Sequence, residues 1–217
     1  HLKGLIALEK EQRSKWDQGP KMGWANLDER PYLSLKYNLA KFYLSKSMKR
    51  FAIKEFEEIL EIDVQDHMGV RYELMATYCN LEDYDKAKNF FECEQMEYHE
   101  EDLMIVPMMT VSLMTGHIED ADFYFDLLYA KNPEFENYLK MIEQGDEERL
   151  VAETLKVNPI LFEANSMQSL LMVFNQVVDL SQSEYYFTWL IEKYRAKRPQ
   201  RLSLIHISEP TRLRRIS

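Results

Sequence analysis

Residues 39–64 read LAKFYLSKSMKRFAIKEFEEILEIDV, and this stretch decides the fold. Leu39, Ala40 and Tyr43 recur at helical spacing, a polar break follows at Ser45 to Ser47, and Ala52, Phe56 and Leu60 resume the spacing. Two short amphipathic helices folded back on each other satisfy this pattern. The phrase then returns twice. Leu74, Tyr78, Ala87 and Phe91 stand for Leu39, Tyr43, Ala52 and Phe56, and Met108, Ser112, Ala121 and Phe125 do so again. The anchoring alanine is Ala52, then Ala87, then Ala121, in steps of 35 and 34 residues. A two-helix unit repeated at that length marks a stacked array of helical hairpins.

The surrounding chain agrees. Its 217 residues suit one short array, and 46% apolar with 29% charged residues is an ordinary globular balance. Only 6 glycines and 7 prolines favour helices with short connections. The formal net charge of −10 disfavours a nucleic-acid partner, because an acidic surface repels phosphates. No apolar run is long enough to span a bilayer. The two cysteines, Cys79 and Cys93, lack a CxxC spacing and read as reduced thiols in a cytoplasmic protein.

Taken in order, residues 1–30 read as the remnant of an upstream helix and a linker broken at Gly19-Pro20 and Gly23. Trp16 and Trp24 are expected to lid the first repeat. Residues 31–133 hold three hairpins. Their helices are expected at Tyr32–Ser45 and Met48–Glu61, at Gln65–Asn80 (with Asp66 as N-cap) and Asp83–Glu97, and at Asp102–Met114 and Glu119–Ala130. Tyr98 to Glu101 reads as a polar linker, and Pro107 should kink or shorten its helix. Residues 134–201 carry C-terminal capping helices. The last two, from Asn158-Pro159 to about Asp179 and from Ser183 to Lys197, offer a possible degenerate fourth hairpin. There Tyr185 and Trp189 stand where the repeats have alanine and phenylalanine, and so large a residue in the alanine slot would spread the helices.

Residues 202–217 are set apart as a non-native tail. Leu202 to Arg212, LSLIHISEPTR, resembles an in-frame translation of a sequencing adapter. Without that tail Lys plus Arg falls from 27 to 24 and Asp plus Glu from 37 to 36, leaving −12. With His1 in place of a methionine, the chain is expected to be a piece of a longer protein.

These residues resemble the tetratricopeptide repeat family. The pattern LA-x-x-Y then A-x-x-x-F covers 39–56, LM-x-x-Y then A-x-x-x-F covers 74–91, and MM-x-x-S then A-x-x-x-F with a closing proline covers 108–133. Lys36 departs from the family, which usually has tryptophan there, and Val64 stands where its proline would be. More narrowly, RPYLSLKYNLA followed by DHMGVRY is similar to a group of bacterial proteins of this class. The resemblance implies an all-α superhelical solenoid of about three hairpins. Within the second helix of each hairpin the small alanine lets two helices approach, while the aromatic fills the gap to the next unit.

The resemblance implies binding of a protein or peptide along the face lined by the first helix of each hairpin. Tyr37, Asn38, Lys41, Tyr72 and Glu73 are the candidate groove residues. The family's carboxylate clamp does not transfer, because its slots hold Tyr37, Asn38, Lys41, Glu73 and Ala76, and Glu73 would oppose a carboxylate. No catalytic set is legible: six scattered glycines make no phosphate loop, no serine sits in GxSxG, and His99-Glu100-Glu101 lacks a second histidine. His67 with Asp66 and Asp63 reads more simply as a capped turn than as a metal site. The paired acids read as solvated faces, and Met104, Met108, Met109 and Met114 as core rather than an adaptable surface. The expectation is therefore a non-enzymatic binder without cofactor or metal. Its alternatives are the peptide-sensing half of a transcriptional regulator or an accessory segment of a larger enzyme.

Overall fold

The computed structural model describes residues 2–16, 23–93, 100–158, 162–177 and 183–207, with side chains as far as Lys197. The Gly19-Pro20 break, the stretch 94–99, the Pro159 start, the turn at 179–182 and the tail from 208 lie outside the described residues. Among those described, the chain is all-α, with eleven helices, a short turn of 3-10 helix at Gly23–Ala25 and no strand. The helices are α1 (Leu2–Trp16), α2 (Arg30–Ser45), α3 (Lys49–Ile62), α4 (Val70–Cys79), α5 (Tyr84–Phe91) and α6 (Asp102–Met114). They continue with α7 (Ile118–Lys131), α8 (Phe135–Gln144), α9 (Glu147–Thr154), α10 (Met167–Gln176) and α11 (Glu184–Ile207).

The repeated residues occupy matching places. Ala52, Ala87 and Ala121 are all fully buried, and Phe56, Phe91 and Phe125 are buried beside them. Consecutive helices pack as the hairpins α2–α3, α4–α5 and α6–α7, and α4 and α6 each also lean on the helix just before them. At the first end α1 lies against α2, with the Trp16 and Tyr32 rings 4.8 Å apart, while Trp24 stacks under the Arg30 guanidinium.

Several boundaries differ from expectation for local reasons. α4 begins at Val70, not Gln65, because Asp66 and Gly69 both take left-handed backbone. Asp66 still caps the helix, but from before its start: the carboxylate accepts from the amides of Val70 (2.7 Å) and Arg71 (3.0 Å). α5 stops at Phe91, with Glu92 and Cys93 already outside it, short of the expected Glu97. α6 runs over the expected residues and continues past Pro107, so the proline does not shorten it. In α11 the inward aromatic is Tyr186, fully buried, while Tyr185 is 56% exposed. The inner row is Tyr186, Trp189, Leu190 and Tyr194, so the large residue expected in an alanine-like slot points outward instead.

α6 holds the centre. Every residue from Asp102 to Leu113 is buried, as an all-round apolar helix requires. α4, α5 and α7 cover part of it, and α10 returns from the C-terminal region to cover more. Asp102 pins that return. Its carboxylate accepts from Ser169 Oγ (2.6 Å), Asn132 Nδ2 (2.8 Å) and the amide of Asn165 (3.1 Å). α11 lies across α8 and α6 and reaches α7 through Trp189 against Phe125, 5.7 Å between centroids.

Candidate binding surfaces

The sequence candidates divide into two groups. Tyr37 and Lys41 sit one turn apart on α2 and both reach Glu73 on α4. Lys41 Nζ lies 2.6 Å from Glu73 Oε1, and the Tyr37 hydroxyl donates to the same oxygen at 3.4 Å. Burial, and then the Glu73 charge, push the Tyr37 phenol up to about 12. Asn38 is exposed on the next step of α2. Tyr72 turns elsewhere, since adjacent helical residues point about 100° apart. Its hydroxyl meets Glu101 and accepts from Arg71 Nη2 at 2.6 Å, while Arg71 Nη1 pairs with Asp66 at 3.0 Å. The structure thus brings Tyr37, Lys41 and Glu73 together and gives Tyr72 to the start of α6.

Beside the Lys41–Glu73 pair is a cavity of about 210 Å³. Leu44 of α2 and Glu73, Ala76, Thr77 and Asn80 from the α4 side line it, and Gln176 of α10 closes it. Asn80 Nδ2 donates to the Gln176 carbonyl at 2.8 Å, tying the end of α10 to the end of α4. Sequence reasoning missed this wall, because nothing in the periodicity of 167–176 says which helix it will meet.

Other chemistry-bearing residues are used in structure. Lys36, fully buried, places Nζ 2.5 Å from Glu55, 2.6 Å from Glu58 and 3.7 Å from Glu9. Arg13 joins Glu9 and Glu58 at 2.9 and 2.6 Å, and Tyr32 donates to Glu9 at 2.9 Å. This cluster rivets α1, α2 and α3 together. Asp63 accepts from the His67 amide at 2.9 Å, its other oxygen lies 2.9 Å from His67 Nδ1, and Asp66 faces away toward α4. Among the described residues no three His, Cys, Asp or Glu side chains are placed to hold a metal ion. Met104, Met108 and Met109 are core residues, at most 1% exposed.

A larger cleft, about 490 Å³, opens between α3, α4 and α5. On α4 it is lined by Arg71, Leu74 and Tyr78, whereas Glu73, Ala76, Thr77 and Asn80 line the smaller cavity. At 100° per residue these sets occupy opposite faces of the helix. Among the described residues no helix is long and apolar enough to cross a membrane. No family model matches the chain, and no curated protein or solved structure matches it.

Proposed function

We propose that this chain is a tetratricopeptide-like module that binds a protein or peptide without catalysing a reaction. The binding face is that of α2 and α4, on Tyr37, Asn38, Lys41 and Glu73. One observation carries the reading: a partly exposed polar row, held by the Lys41–Glu73 pair, borders a cavity whose far side is α10. The surface is formed before any partner arrives, so little ordering cost falls on binding. Tyrosine contributes area with few torsions and a polar tip. The reading includes a cytoplasmic setting, supported by two free thiols, Cys79 and Cys93.

Pull-down from cell extract with the wild-type chain and with Lys41→Glu plus Asn38→Arg tests it. Both positions are exposed, so the fold should persist, with matched thermal unfolding as the control. Partner recovery should fall with the double variant. Unchanged recovery would remove the α2–α4 face from consideration.

A further inference from the structure

We propose that the cleft between α3 and α5 is a second docking site, on the face of α4 opposite the Lys41–Glu73 pair. Its occupant is a peptide segment of a partner protein with an apolar side chain next to a lysine or arginine.

The floor is apolar: Leu74 and Tyr78 of α4 lie at its base, with Leu60 of α3 and Phe90 of α5 as half-buried walls. At about 490 Å³ it falls within the usual size of ligand pockets, roughly 300–1,000 Å³. Its rim is acidic. Among the described residues four charged side chains line it, Glu57, Glu61, Asp66 and Arg71. Arg71 lies on Asp66 at 3.0 Å, so that pair is balanced internally and Glu57 with Glu61 sets the sign. These two sit one turn apart on α3, a like-charged spacing that a cation between them relieves. Glu57 already accepts from the Tyr78 hydroxyl at 2.6 Å, which holds its carboxylate at the edge of the floor. Glu61 is exposed, and Val64, just beyond it, is 67% exposed. An apolar anchor on the floor with a basic residue on the rim meets both demands, and an acidic segment meets neither.

Cys93 supplies a reporter. It lines the cleft with a half-buried thiol, whereas Cys79, the chain's other cysteine, is fully buried and its thiol is pushed well up by desolvation.

The test selects short random peptides displayed on phage against the full chain, then synthesises those enriched. Enriched peptides should carry Lys or Arg beside Leu, Ile, Met or Phe, and should slow alkylation of Cys93 by iodoacetamide. Glu61→Lys and, separately, Val64→Lys alter exposed positions, so each should fold, and each should weaken binding at least tenfold. Lys41→Glu should leave this binding unchanged, which separates the cleft from the α2–α4 face. Enriched peptides without a basic residue, binding that survives Glu61→Lys, or Cys93 left unprotected would each overturn the proposal. So would a Cys93 that resists alkylation in the free chain, since the chain itself would then fill the cleft.

Discussion

Lys36 is the most consequential single residue. A buried ammonium is tolerable only with partners, and three glutamates from two other helices supply them. Lys36→Met should cost about 3–5 kcal/mol, read from urea unfolding, because it takes the cation from the buried Glu55 and leaves Arg13 alone to balance Glu9 and Glu58. Glu58 gives the cluster a pH signature. Burial alone would raise its carboxyl, but hydrogen bonds and charges from Lys36 and Arg13 outweigh that and hold it below the ordinary 4.5. The folded form therefore binds the proton less readily than the unfolded form. This contribution is complete above 4.5 and is lost as pH falls through the lower folded value. Glu58→Gln should flatten the acid limb of stability against pH, measured as urea midpoints at successive pH values. The sequence marked Lys36 as a departure from the repeat pattern. It did not reveal the compensation, because Glu9 lies on another helix and shares no periodicity with it.

Helix α6 was legible from the sequence over its whole length, since an apolar run bounded by Asp102 and Gly116 leaves little choice. What covers it was not. A helix apolar on every side demands cover on every side, but the demand names no donor. α10 provides it through Asp102, a residue that reads in sequence as the start of a helix and in space joins four segments. Burial pushes the Asp102 carboxyl up from its ordinary 3.8, against the pull of Ser169, Asn165 and Asn132. The sign is opposite to that of Glu58: this group favours folding most below 3.8 and loses that contribution as pH rises through its raised folded value. Ser169→Ala removes a donor to a buried carboxylate and should cost about 1.5–3 kcal/mol. Amide exchange should rise first in α10, with α2 and α3 still protected. The late start of α4 has a similar lesson. Asp66 was identified as its cap, but the left-handed turn through Gly69 that delays the helix follows from backbone angles no periodicity reports.

Across the whole molecule, the order of the hairpins could be read because it rests on near neighbours and the spacing of Ala52, Ala87 and Ala121. The contact between α10 and α6 could not, being distant in sequence. It changes how the chain should melt. In an open array each unit leans only on its neighbours, and distant units can unfold separately. Here Val173→Asp, a fully buried position on α10, should lower one common transition. Circular dichroism and the fluorescence of Trp16, Trp24 and Trp189 should move together, and a separate early step in either signal would count against a single cooperative unit. The return of α10 also bears on how such a chain can change length over generations. A hairpin inserted between α7 and α8 would carry Ser169 and Asn165 away from Asp102, leaving a buried carboxylate short of two donors. Duplication inside this clasp is penalised, so the count of units between α6 and α10 is held by a lock rather than left to drift.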